Sequence, residues 1–187
     1  LSLTESALRF IRESLSDPTL GLAAAKSELS GERYRVIGTV GQGGMGIVLK
    51  SLDQRVRRNV AVKMLKGGGA YSGDNLMRFI AEGQLTGELE HPNIVPVYDL
   101  GLDGDGQAFY AMKFVDGVTL HGVLDGLRAG DERMRSRFTL SELLTIYQKV
   151  CDAVAYAHSR GVIHRDLKPG NVMIAEFGEG MMMDWCL

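Results

Sequence analysis

Two cysteines in 187 residues leave no disulfide framework, and they point to a reducing compartment. Neither Cys151 nor Cys186 stands beside a motif that would mark a reactive thiol. Net charge is only −2, from 21 Lys and Arg against 23 Asp and Glu, so electrostatics recommends no nucleic acid as partner. No run of eighteen apolar residues occurs, so nothing within these limits reads as a membrane segment. The first residues carry no secretory h-region, and no repeat or low-complexity tract is visible. What is present, 45% apolar residues, suffices for the cores of one to two small domains.

The most informative string is His164-Arg165-Asp166-Leu167-Lys168-Pro169-Gly170-Asn171. It packs a base, a phosphate-reading cation and a metal ligand into eight residues, and phosphoryl transfer needs little else. Asp166 is suited to accept a hydroxyl proton. Lys168, two residues on in an extended turn, aims the same way, and Asn171 can offer a side-chain oxygen to a metal ion. Upstream, Val40-Gly41-Gln42-Gly43-Gly44-Met45-Gly46-Ile47-Val48 spaces glycines so that backbone N–H groups can approach phosphate oxygens. The rival reading of such a loop, a dinucleotide fingerprint, demands a helix after the glycines and an acidic residue about twenty positions later. Instead, Ile47-Val48-Leu49-Lys50-Ser51-Leu52 and Asn59-Val60-Ala61-Val62-Lys63-Met64-Leu65 are aliphatic and β-branched, which predicts strand, turn, strand.

These strings, in this order, resemble the catalytic domain of bacterial eukaryotic-like (Hanks-type) serine/threonine protein kinases over about residues 32–187. Lys168 favours the serine/threonine branch. The resemblance implies an α+β, protein-kinase-like bilobal fold with a five-stranded antiparallel N-lobe, the helix that the family calls αC, and an incomplete helical C-lobe. It divides the chain into an N-terminal helical extension over 1–31, an ATP-binding N-lobe over 32–115, and a partial C-lobe over 116–187. It implies ATP and Mg²⁺ as cofactors, and proteins with Ser or Thr acceptors as substrates. Lys63 is then the strand lysine that reaches the α- and β-phosphates, and Glu82, on a helix expected over 74–90, is its partner. Val40, Gly41, Gly43, Gly46, Val48 and Ala61 fall among the ATP-binding positions. Met112 becomes the residue at the back of the adenine pocket, with the backbone of Lys113 to Val115 on the adenine edge. Asp166 and Lys168 are catalytic. Asn171 and Asp184, the latter in an Asp-Trp-Cys version of the family's Asp-Phe-Gly, hold metal.

Further expectations follow from local pattern. Strands are expected at 107–115, 172–174 and 181–183, with a turn over 101–106. Thr139-Leu140-Ser141-Glu142 reads as a capping box that opens a long helix, with Leu143, Leu144, Tyr147, Val150, Val154 and Ala157 as its apolar stripe. Gly83 and Gly87 each cost a helix about 1 kcal/mol relative to alanine, so the helix carrying Glu82 must lean on packing. Ser2-Leu3-Thr4-Glu5 reads as a second capping box, and Gly67-Gly68-Gly69 as a flexible connection. Cys186, where the family has glycine, restricts the backbone. A start at Leu1 and a stop at Leu187 are read as a piece of a longer kinase, itself with little or no turnover. That parent is expected in the cytoplasm, with any membrane anchor outside this segment. The alternative is a non-catalytic ATP-binding pseudokinase or scaffold module, and a third is a small-molecule phosphotransferase on the same fold.

Overall fold

A computed structural model describes residues 33–43, 46–65 and 73–185. The expected N-terminal helix, the Gly67–Gly69 connection and Cys186 lie outside the described residues. The chain forms two compact units: residues 33–88 with Pro96–Phe114, and Leu89–Val95 with residues 115–185. The segment Leu89–Val95 thus belongs with the second unit, although the division read from the sequence placed it in the first.

The first unit is a five-stranded antiparallel sheet in the order β1-β2-β3-β5-β4. Its strands are β1 (Tyr34–Gln42), β2 (Gly46–Asp53), β3 (Arg58–Leu65), β4 (Val97–Leu102) and β5 (Ala108–Lys113). Alternation assigns the two faces, because cross-strand partners point the same way. Leu49 opposite Val62 and Val62 opposite Ala111 set one face. There Val60, Val62, Phe109 and Ala111 form a buried cluster with Tyr34 and Met64 packed against it. Val48 opposite Lys63 and Lys63 opposite Tyr110 set the other face. Helix α1 (Gly73–Glu88) packs there, burying Phe79, Ala81 and Leu85. The β2–β3 turn is tied by Asp53, whose Oδ1 accepts the N–H groups of Arg55 and Val56 at 3.1 and 3.4 Å. Its Oδ2 meets Arg33 at 3.3 Å, and Arg33 also reaches Asp99 at 2.7 Å, so two strands are anchored by one guanidinium. Burial opposes ionisation of Asp53, yet Arg33 and the turn amides hold its carboxyl below its ordinary value.

The second unit contains β6 (Gly117–Thr119), α2 (Leu120–Arg128), α3 (Glu132–Arg137), α4 (Leu140–Ser159), a 3-10 turn (Pro169–Asn171), β7 (Val172–Ala175) and β8 (Gly180–Met182). Strands β6, β7 and β8 form a small antiparallel sheet in that order. The capping box of α4 is present: Thr139 Oγ1 accepts from the Glu142 N–H, and Glu142 Oε2 accepts from the Thr139 N–H at 2.7 Å. Its apolar stripe is a correction. The buried face is Ile146, Val150, Ala153 and Ala157, whereas Leu144 and Tyr147 are 58% and 66% exposed. Ile146, Val150, Ala153 and Ala157 keep one spacing of three or four throughout, and Leu144 and Tyr147 fall outside it. The segment 91–95 is stitched to β8: the Met182 N–H donates to Asn93 O at 2.8 Å, and the Val95 N–H to Met182 O at 2.9 Å. Asn93 Nδ2 adds a bond to Gly180 O at 2.9 Å.

Candidate active site

In the first unit, chemistry gathers on the sheet face that carries Lys63. Register places Val48, Ala61, Lys63, Tyr110 and Met112 on that face, since Ala61 is opposite Met112 and Val48 opposite Lys63. Lys63 and Glu82 are 8% and 4% exposed, and their Nζ and Oε1 atoms are 2.6 Å apart. Removing both charges from water costs several kcal/mol, so such a pair persists only with good geometry and further hydrogen bonds. One further bond is present: Tyr110 OH donates to the same Glu82 Oε1 at 2.7 Å. The Tyr110 ring lies 5.1 Å from that of Phe79, which steadies it against α1.

The three glycines divide. A Cβ built on Gly41 or Gly43 would meet nothing within 4 Å, so their side is open to a ligand. On Gly46 it would sit 2.4 Å from Met64 O, so this glycine is demanded by close pairing with β3. The first two leave room, and the third has a packing reason of its own in closing the sheet. Gly43 N–H donates to Gly46 O at 2.9 Å and turns the strand back. Val40 lies at a register shift between Thr39 and Gly41 and is 55% exposed. Met112 is buried, and the Lys113 N–H donates to Pro96 O at 3.0 Å, so that N–H is already engaged.

In the second unit, Arg165 and Asp184 have φ of 62° and 59°, a left-handed backbone that non-glycine residues adopt at some cost. Between these two points the loop is held by His164, which is 3% exposed. Its Nδ1 accepts the Asp166 N–H at 3.3 Å, so Nε2 carries the proton and donates to Met183 O at 3.1 Å. The imidazole also rests 4.7 Å from the fully buried Trp185 ring. His164 therefore joins the loop to the Asp184-Trp185 segment, and the Met183 N–H on Asn171 O at 3.0 Å doubles the link. On this frame Asp166 Oδ2 accepts from Lys168 Nζ at 2.6 Å and from Asn171 Nδ2 at 3.1 Å. Asn171 Nδ2 also donates to Asp166 O at 2.9 Å. The Lys168 ammonium first, and the Asn171 amide second, hold the Asp166 carboxyl below its ordinary 3.8.

Asn171 uses its NH₂ on Asp166, so its oxygen is the atom it presents. With the Asp184 carboxylate this is an all-oxygen donor set, the kind that Mg²⁺ takes with one or two carboxylates and phosphate oxygens. Among the described residues no group of three or more His, Cys, Asp or Glu could hold a metal ion by itself. A cation here would share its coordination with phosphates.

Sequence reasoning passed over Tyr110 and the bracing role of His164. Tyr110 was legible in principle, because it stands two residues before Met112 on one strand and therefore shares its face. It also passed over β6, α2 and α3, short elements with caps at Thr119 and Asp131.

Residues 34–187 match the family model described as protein kinase domain. The chain is 36% identical over 158 residues to serine/threonine-protein kinase PknD of Protochlamydia amoebophila (strain UWE25), covering 82% of this chain and 16% of that protein. It is 36% identical over 159 residues to PknD of Chlamydia trachomatis serovar D (strain ATCC VR-885 / DSM 19411 / UW-3/Cx), covering 82% and 17%. A crystal structure of the Mycobacterium tuberculosis PknI kinase domain, carrying a single substitution, superimposes with a TM-score of 0.63 at 30% identity, over 82% of this chain and 59% of that one. The chain thus spans about a sixth of the length of these PknD proteins. With a five-stranded antiparallel sheet, a buried Lys–Glu pair and the His-Arg-Asp loop in family order, this chain belongs to the protein kinase domain family.

Proposed function

We propose that this chain carries the nucleotide-binding and phosphoryl-transfer machinery of an ATP-dependent serine/threonine protein kinase. The observation that carries the reading is the Asp166 cluster, in which one carboxylate is held ionised by Lys168 and oriented by Asn171 within 3.1 Å. Family membership implies ATP and a divalent metal, and bound Mg·ATP would supply the γ-phosphoryl group. Asp166 aligns a Ser or Thr hydroxyl of a protein substrate and takes its proton. Lys168 offsets charge on the transferring group. Asn171 and Asp184 hold the metal through oxygen. Lys63, held by Glu82, orients the α- and β-phosphates. Gly41 and Gly43 leave room for them, while Val40, Val48, Ala61 and Met112 line the adenine, whose edge meets the backbone of Lys113 and Val115. The catalytic arithmetic is mostly positioning and electrostatics, which is why these residues are braced so heavily.

The test is Mg·ATP binding and transfer of labelled phosphate to a serine/threonine peptide. Asp166→Asn is expected to remove at least a hundredfold of transfer, the scale of general-base catalysis, while keeping Mg·ATP affinity within about threefold. Mg·ATP affinity unaffected by both Lys63→Ala and Asp184→Asn would sink the reading. Mg²⁺-dependent binding with no transfer would favour the non-catalytic alternative.

A further inference from the structure

We infer that Tyr110 is a positioning residue for the Lys63–Glu82 pair, and that Gly83 is the position that admits it. The inference rests on the kinase reading, because it concerns the pair to which that reading gives the phosphates. Three elements converge on one oxygen: the ammonium from β3 at 2.6 Å, the phenol from β5 at 2.7 Å, and the carboxylate itself from α1. Lys63 and Tyr110 are direct cross-strand partners, so both donors are fixed by the sheet and only the acceptor rides on the helix. A buried ion pair by itself roughly breaks even against its desolvation. A second donor to the same carboxylate adds the larger stabilisation typical of hydrogen bonds to charged groups.

The ring has little room to move. Phe79 is 5.1 Å away between centroids. A Cβ on Gly83 would lie 3.2 Å from Tyr110 Cδ1 and 3.4 Å from Leu100 Cδ1. The glycine that weakens α1 by propensity is therefore the one that lets the phenol reach Glu82. Thr86 Oγ1 donates to Glu82 O at 2.7 Å one turn later and steadies the backbone behind it.

The consequence concerns the nucleotide. With two donors on Glu82 Oε1, the Lys63 ammonium can turn toward a phosphate without leaving a buried carboxylate unpaired, and α1 stays docked when nucleotide is absent. Less binding energy is then consumed in ordering the helix, which raises affinity.

The deciding experiment is a double-mutant cycle on the 187-residue chain, read as Mg·ATP affinity by calorimetry and as amide hydrogen exchange across α1 without nucleotide. Tyr110→Phe is expected to weaken Mg·ATP about tenfold, and to speed exchange in α1 while sparing β1 and β2. In a Glu82→Ala background, where the hydroxyl has lost its acceptor, the same change is expected to move neither readout. If Glu82→Ala does not fold, Glu82→Gln keeps an acceptor without the charge, and there the effect is expected to shrink to about threefold. A merely structural phenol acts equally in every background. Equal effects, or none in the parent chain, overturn the assignment. A parent chain that binds no Mg·ATP overturns the kinase reading instead, and the exchange measurement, which needs no nucleotide, then decides Tyr110 alone.

Discussion

Asp166 is 46% exposed at its side chain, and water alone would leave it an ordinary carboxylate. Its depressed pKa comes from Lys168 first and Asn171 second, both within 3.1 Å of Oδ2. The sign matters. A carboxyl whose folded-state pKa lies below its unfolded value contributes stability above that unfolded value, and the contribution is lost as pH falls through the folded one. Asp166 is thus ionised throughout the neutral range, as the proton-accepting role proposed for it requires. A carbon-13 NMR titration of the Asp166 carboxyl is expected to show a midpoint below 3.8, and Lys168→Ala to move it up toward that value, since the largest cause has been removed. No movement in Lys168→Ala would mean that the 2.6 Å contact does not hold the charge in solution. His164 acts at the same scale but through shape, with one nitrogen accepting from Asp166 N–H and the other donating to Met183 O. A substitute must supply both an acceptor and a donor at that spacing, which few side chains can.

At the scale of elements, identical residues have opposite roles. Gly41 and Gly46 are strand glycines of one motif, the first near the end of β1 and the second at the start of β2, yet a Cβ on the first meets nothing and a Cβ on the second strikes Met64 O at 2.4 Å. Gly46→Ala is therefore expected to lower folding stability by about 1–3 kcal/mol, as overpacking does, through opening of the β2–β3 ladder. Gly41→Ala is expected to leave the thermal midpoint within about 2 °C, because a change in a strand without a clash costs little, while Mg·ATP affinity falls. Paired thermal melts and calorimetry check both, and a stability loss in Gly41→Ala as large as that in Gly46→Ala would refute the distinction. The motif spacing was legible in the sequence, as were β2, β3, the capping box of α4, the Lys63–Glu82 pair and the Asp166, Lys168 and Asn171 group, because each is written in local pattern or in a polar residue with little other reason to be there. What could not be read was tertiary. Leu144 and Tyr147 carry the same apolar signal as Val150, and only the direction in which α4 packs decides which is buried. Gly46 and Gly83 are explained by atoms far along the chain, Met64 O and the Tyr110 ring. The short run from β6 to α3 offers too few residues for periodicity to register.

At the scale of the whole molecule, the chain leaves the first unit after α1, contributes Leu89–Val95 to the second, and returns to build β4 and β5. The excursion is short, so few bonds fix it: Asn93 with Gly180 and Met182, Val95 with Met182, and the parallel bridge of Ile94 to Met182. These bonds converge on β8, the strand that leads directly into Met183 and Asp184. The segment Leu89–Val95 is therefore also a support for the residues that lead into Asp184. Asn93→Ala deletes the side-chain bond to Gly180 O and is expected to cost about 1 kcal/mol, lowering the melting transition by about 2–4 °C. The chain contains one tryptophan, and Trp185 is fully buried beside His164, so its fluorescence is a probe of the segment that follows β8. The shift is expected in Trp185 fluorescence and in hydrogen exchange of β7 and β8, with β1 to β3 unchanged at temperatures well below the transition, where local opening dominates exchange. Equal loss of protection in both units would show that Leu89–Val95 couples them into one cooperative structure, and would refute the local role assigned to Asn93. A local loss confined to β8 would place the stability of the Asp184 segment under the control of a residue that stands far from it in the chain.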